Sequence, residues 1–201
     1  MGADNQQERL VRIGWVVGFV EGEGCFSIGF VRQPDRGARR GYRTGYQVSH
    51  ELAVTQGARS IKALVELQRF FGVGQVFKNK RYDNHKEDLF RYVVRRREDL
   101  LHIILPFFRQ YPMRAAKQGD FEKFAQCVEM VNRNDHKTRE GLVRIAEIAQ
   151  TMNRCKPRNE LIRILRDYTP DISEVRDEEI VPSAWRHAGV ETHPLSTVCA
   201  G

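Results

Sequence analysis

Two glutamates, Glu21 and Glu23, close the stretch "GWVVGFVEGEG" at residues 14–24. Gly14, Gly18 and Gly22 recur every fourth residue ahead of them, which puts all three on one face of a helix. Each glycine costs a helix interior roughly 1 kcal/mol relative to alanine. The glutamates stand at the C-terminal end of the same helix, where the macrodipole disfavours negative charge. Stability of this helix explains neither choice. Other reactive side chains are not arranged for chemistry. Cys25, Cys127, Cys155 and Cys199 are scattered, with no C-x-x-C pair and no histidine at zinc spacing, and read as reduced thiols. The six histidines are dispersed, and His50 and His102 read as core or surface residues. No Ser, Cys or His is set beside a base as a nucleophile would be.

A second group of residues suits recognition. The net charge is +7, but residues 171–201 hold six acids and two arginines, leaving 31 basic against 20 acidic residues in the first 170. Such a surplus fits a polyanion, of which nucleic acid is the common case. No apolar run is long enough to span a bilayer. The polar start "MGADNQQERL" carries no secretory signal, and Gln6 stands where a myristoylation signal needs Ser or Thr, so an intracellular protein without membrane contact is expected.

The elements that must position these residues follow from periodicity. Residues 1–8 read as a frayed start, and Leu10, Ile13, Val17 and Val20 keep a helical spacing from Arg9 to Glu21. "CFSIGFVR" alternates Phe26, Ile28 and Phe30 against Ser27, Gly29 and Val31, as a half-buried strand does. "YQVSHELAVT" alternates again, with Gln47, Ser49 and Glu51 outward. Residues 56–71 form an amphipathic helix ended by Gly72. "GQVFKNK" and "DLFRYVVR" are a third and fourth strand. "REDLLHIILPFF" is a helix that Pro106 ends or bends. Further helices lie near 114–133, 139–152 and 159–168, and 170–201 reads as a flexible tail. The order is αββαββα with helices appended.

The outward strand faces and their loops carry Ser27, Gln33, Arg43, Gln47, Ser49, Glu51, Lys78, Asn79, Lys80, Arg81, Arg91 and Arg95. Gln, Asn and Arg can read base edges in pairs of hydrogen bonds, while Lys and Arg in flanking loops contact phosphates. Most antiparallel sheets have one polar face; the chemistry of this one suits nucleic acid.

"VVGFVEGEG", residues 16–24, resembles the LAGLIDADG motif of homing endonucleases, with Gly18, Glu21, Gly22, Glu23 and Gly24 at matching places. "FFRQYPMRAAKQGDFEKF" and "VNRNDHKTREGLVRIAEIAQTMN" are similar to later segments of the family, so the resemblance runs from about residue 9 to about 155. It implies an α+β, αββαββα fold with a saddle-shaped antiparallel sheet, here a domain over 9–169. It implies that Glu23 is the catalytic and metal-binding carboxylate, that the Gly22 carbonyl adds a metal oxygen, and that Glu21 supports the turn and the interface. Glutamate replaces aspartate at both acidic positions of the motif. Gln56 matches a polar residue that organises metal-bound water. Lys117 matches a basic residue at the phosphate, with Arg114 its substitute if the register differs, and Arg59 or Lys62 takes a further basic role.

The function implied is Mg²⁺-dependent hydrolysis of both strands of double-stranded DNA at a long site, with Mn²⁺ or Ca²⁺ substituting for binding. Members cut across the minor groove and leave 3′ overhangs, while their sheets read the adjacent major grooves. Gly14 and Gly18 imply a close helix–helix contact between two copies. Because the motif occurs once, a homodimer on a near-palindromic site is expected. Binding without cleavage stays open: an intron RNA maturase, or a transcription regulator of the same fold.

Overall fold

The computed structural model describes residues 3–33, 44–79, 88–153, 155 and 157–167. Helix α1 (Ala3–Glu23) passes without a loop into β1 (Gly24–Arg32), which pairs antiparallel with β2 (Tyr46–Gly57). A 3₁₀ turn at Ala58–Ser60 leads into α2 (Ile61–Phe71), then β3 (Gln75–Asn79) and β4 (Leu89–Val94). The two hairpins join into one four-stranded antiparallel sheet of order β1-β2-β4-β3. Helices α3 (Arg97–Asp99), α4 (Leu105–Gln110), α5 (Lys117–Asn132), α6 (Arg139–Gln150) and α7 (Asn159–Asp167) follow. The expected αββαββα order and appended helices are all present. The expected tail at 170–201 lies outside the described residues, as do Arg43, Lys80 and Arg81.

The alternation of apolar residues decides where the core sits. Phe26, Ile28 and Phe30 of β1 are buried with Val48, Leu52 and Val54 of β2 on one face of the sheet. Phe26 packs edge-on against Phe108 and Phe121 and meets Phe124, with ring centroids 5.3–5.7 Å apart. Edge-to-face geometry sets positive ring edges on negative faces, so the cluster adds direction to plain burial. From α2, Leu64, Leu67 and Phe71 close the same core. That helix stops where Gly72 takes φ 69° and donates its N–H to the Gln68 carbonyl, a left-handed cap that glycine adopts without strain.

Four expectations are corrected. Helix α1 begins at Ala3, not Arg9, because Gln6, Gln7 and Glu8 extend the helix as exposed polar residues. Its buried stripe is Ile13, Val16 and Val20, while Leu10 stands 58% exposed and Val17 only half-buried. Residues 56 and 57 belong to β2, not to the following helix. Pro106 does not end its helix: Leu100–Ile104 widens into a π-helical turn that links α3 to α4, and the Leu105 N–H reaches back five residues to the Leu100 carbonyl. A wider turn just before a residue that lacks an N–H is one way to carry a helix through proline.

The helix-to-strand junction leaves no room for a side chain. A Cβ added at Gly24 would sit 2.5 Å from the Val20 carbonyl oxygen and 2.8 Å from Val20 Cγ1. Gly24→Ala is expected to destabilise the chain by about 1–3 kcal/mol, as overpacking against backbone does. A lowered urea midpoint with unchanged m-value is the measurement that checks it.

Candidate active site and nucleic-acid interface

The end of α1 is held by two contacts from the segment that joins α4 to α5. The half-buried Glu21 carboxylate accepts hydrogen bonds from the backbone N–H groups of Arg114, at 2.8 Å, and Ala115. Lys117 opens α5, and its Nζ donates to the Val20 carbonyl at 3.3 Å and the Gly22 carbonyl at 3.4 Å. A lysine at a helix N-terminus opposes that helix's dipole, but here it meets the carbonyl end of α1, whose last oxygens lack intrahelical partners. Both residues therefore serve as clamps on α1. Of the two candidates for the basic role, Lys117 is the one whose side chain reaches this helix end; Arg114 contributes its backbone.

Glu23 is exposed, with no hydrogen bond or ion pair to another described residue. Gln56 lies on β2 just past the start of β1. Gly24 pairs with Val54, so Gln56, two residues further along β2 and half-buried, lies beyond the start of β1 and opposite Phe90 of β4. Arg59 and Lys62 are exposed just after it. Carboxylate and carbonyl oxygens are hard ligands of the kind that magnesium and calcium take. Glu23 and the Gly22 carbonyl fit such an ion, but one chain supplies them alone: no group of three His, Cys, Asp or Glu residues that could hold a metal occurs among the described residues.

The glycine face of α1 is bare. A Cβ at Gly14, Gly18 or Gly22 would meet nothing within 4 Å. Val11 and Trp15, on the same side of the helix, are 67% and 37% exposed. No described residue requires glycine at these three positions.

The polar face of the sheet gathers most of the expected recognition residues. In register, Ser27 stands opposite Glu51, Gly29 opposite Ser49 and Val31 opposite Gln47, while Thr55 meets Arg91 and Asn79 meets Leu89. Gln33 extends this face, its Nε2 donating to Gln47 Oε1 at 3.3 Å. Two residues depart from expectation. Lys78 pairs with Phe90, so the pleat sends it to the face opposite Phe77 and Asn79, where its ammonium meets Asp88 Oδ2 at 2.7 Å. Glu51 is on the polar face but 3% exposed, covered by salt bridges from Arg91 and Arg95.

The sequence profile of the LAGLIDADG endonuclease family matches residues 16–128, which span α1 to α5. The chain belongs to this family. Among solved structures it is similar to the homing endonuclease I-TnaI, at 36% identity and a TM-score of 0.62, over 77% of this chain and 95% of that one. It is also similar to I-SmaMI bound to uncleaved DNA in the presence of calcium ions, at 28% identity and a TM-score of 0.64, over 85% of this chain and 54% of that one. A curated relative, probable intron-encoded endonuclease 2 of Neurospora crassa, is 28% identical over 138 residues, 69% of this chain. The chain spans 26% of that relative's length, and 24–40% of the similar curated proteins.

Placed in the LAGLIDADG fold, several contacts had no sequence signal. Asn153, in a left-handed conformation at φ 53°, donates Nδ2 to the Phe26 carbonyl at 3.0 Å, and Arg158 Nη2 reaches the Ile28 carbonyl at 2.9 Å. These side chains occupy carbonyls of β1 on a sheet edge that would otherwise be open to pairing. They sit 127 and 130 residues away along the chain, beyond the reach of any local pattern.

Burial pushes the Lys117 ammonium below the ordinary lysine value of 10.5, with Glu23 and Glu21 among the charges that oppose the shift. The unfolded chain then binds this proton more tightly than the folded one. Stability is therefore expected to rise with pH between the folded value and 10.5. Titration of the Lys117 Cε and Nζ resonances by NMR checks the shift, and Lys117→Met should remove it from the stability profile.

Proposed function

We propose that the chain is a homing endonuclease that hydrolyses double-stranded DNA at the C-terminal end of α1, with Glu23 as the catalytic carboxylate. The observation that carries this reading is an exposed, unengaged Glu23 on a helix end clamped by Glu21 and Lys117. No described residue hydrogen-bonds or ion-pairs with Glu23; its charge acts only through space on Lys117. A family of endonucleases and DNA-bound solved relatives supports its use in cleavage.

Glu23 and the Gly22 carbonyl would hold a divalent cation, with Mg²⁺ the reading from their hard oxygens and phosphate oxygens of the bound DNA completing its ligands. Such an ion supplies Lewis acidity at the phosphate and a more acidic bound water. The chain's own residues do the positioning. Gln56, on β2 two residues past the partner of Gly24, orients the attacking water through its amide. Lys117 places its positive charge on the charge that develops at the phosphate, moving from the carbonyls of Val20 and Gly22. The polar sheet face, from Gln33 and Gln47 to Ser27, Ser49, Asn79, Arg91 and Arg95, takes the major groove. No membrane role is proposed; no described helix is long and apolar enough to cross one.

One Glu23 serves one scissile phosphate, so cutting both strands needs a second such helix end. The bare glycine face of α1 supplies the place for it. Residues 14–22 of a second copy would pack there as a self-complementary contact, bringing two Glu23 carboxylates together and giving a near-palindromic target. Glycines permit that approach because no Cβ holds the backbones apart.

Two outcomes are expected. Glu23→Gln should slow Mg²⁺-dependent cleavage of a library-derived site by about 10³-fold, the several kcal/mol that metal-assisted charge stabilisation supplies, while DNA affinity stays near wild type. Cleavage at the wild-type rate in that variant would sink the assignment of Glu23. Gly18→Leu should leave the chain folded, since no described atom lies within 4 Å of a Cβ there. The same change should turn a dimer into a monomer by light scattering. A wild-type chain that is monomeric on DNA and still cuts both strands would contradict the second half.

A further inference from the structure

Among the described residues, Glu51 is the buried charged side chain, and it is buried on the sheet face proposed to meet a polyanion. Its carboxylate holds two guanidinium groups at once. Arg91 Nη2 donates to Oε1 at 2.8 Å and Arg95 Nε donates to Oε2 at 2.9 Å. Arg91 sits opposite Thr55, four residues along β2 from Glu51, or about 13 Å at the rise of a strand. To reach the carboxylate its side chain must run along the sheet past the Ala53–Val93 pair, and it is only 16% exposed. Arg95 is further steadied by Phe77, whose ring centroid is 6.0 Å from its guanidinium carbon.

A negative charge here lowers affinity for DNA, because affinity comes mainly from cations that neutralise phosphates. Buried ion pairs are also a poor source of stability relative to apolar residues of similar size. What the arrangement does supply is order. A solvent-exposed arginine loses rotamer freedom when it binds a base; Arg91 has already lost it on folding. Its position in mid-sheet, away from the loops, suits a base edge over a backbone phosphate. Guanine presents O6 and N7 in the major groove, the acceptor pair that a fixed guanidinium matches best.

We propose that Glu51 is a positioning residue that sets sequence specificity: it locks Arg91, together with Arg95, to read a guanine in the major groove, at the expense of general affinity. Glu51 itself does not touch DNA. This rests on the sheet being the DNA-binding face.

The test starts with selection of sites from a randomised duplex library by the full wild-type chain in Ca²⁺. Binding is then measured for wild type, Glu51→Gln and Arg91→Lys. The duplexes are the selected site, the same site with 7-deazaguanine at each guanine in turn, and an unrelated duplex. Glu51→Gln should bind the unrelated duplex more tightly, by about three- to tenfold, as a buried negative charge is removed from the face. Discrimination between selected and unrelated duplexes should fall by about fivefold or more, the lower range for one arginine–guanine pair. One 7-deazaguanine should weaken wild type and leave Arg91→Lys indifferent. A merely structural Glu51 would instead lower the melting temperature and weaken all duplexes alike, and that result overturns the proposal. Unchanged discrimination in Glu51→Gln also overturns it. Should that variant fail to fold, a full 7-deazaguanine penalty retained by Arg91→Lys overturns it independently. A wild-type chain that selects no site brings down the DNA-binding reading itself, a failure distinct from one in which wild type selects and Glu51→Gln behaves identically.

Discussion

Helix α1 turns into β1 with no loop between them, and only a residue without a Cβ fits the junction, since Gly24 lies against the Val20 carbonyl. That constraint fixes the distance between the end of a helix and the first residue of a sheet. Glu23 precedes the junction by one residue and Cys25 follows it, so a carboxylate is held at the corner where helix and sheet meet. Glu21 and Lys117 then anchor the same corner to the segment before α5. The backbone that carries this carboxylate is held, which places it at the corner, while the exposed Glu23 side chain keeps its rotamers for a ligand to fix.

Charges in this chain are placed against the preferences of their own elements, and each finds its reason in a neighbour. Glu21 at a helix C-terminus accepts N–H groups from another segment. Lys117 at a helix N-terminus meets carbonyls of another helix. Glu51 on a basic face neutralises part of two arginines. In each case a local cost is offset across the fold, and the residue is tied to geometry at or near a recognition surface. Glu23 is the exception, with no partner among the described residues, and the bare glycines beside it share that incompleteness. Both fit the proposed dimer on DNA, in which a second copy and a phosphate complete them.

The framework that carries these groups is conventional in its physics. Aromatic edges around Phe26, a left-handed cap at Gly72 and side chains over the β1 edge hold one sheet with a dry face and a wet face. The dry face binds helices. The wet face is left for a ligand, and its residues come from all four strands, so that a small rigid sheet presents a long row of polar groups.

The element order, the inner and outer faces of β1, and the family itself were legible in the sequence, because a period of two or 3.6 residues and a nine-residue motif are local patterns. The placement of Glu23 at the end of α1 was legible for the same reason. The start of α1, the passage of its helix successor through Pro106 and the strand placement of Gln56 were not, since element ends answer to backbone partners elsewhere. Lys78 and Glu51 show the limit most clearly. Alternation placed Glu51 on the polar face, but only cross-strand register decided that Arg91 and Arg95 would close over it, and register also turned Lys78 to the other side. The sequence by itself determined which residues could do chemistry and the order of the elements bearing them. The tertiary structure decided which of them meet, because burial and hydrogen bonding between segments far apart along the chain are set by packing and carry no periodic trace.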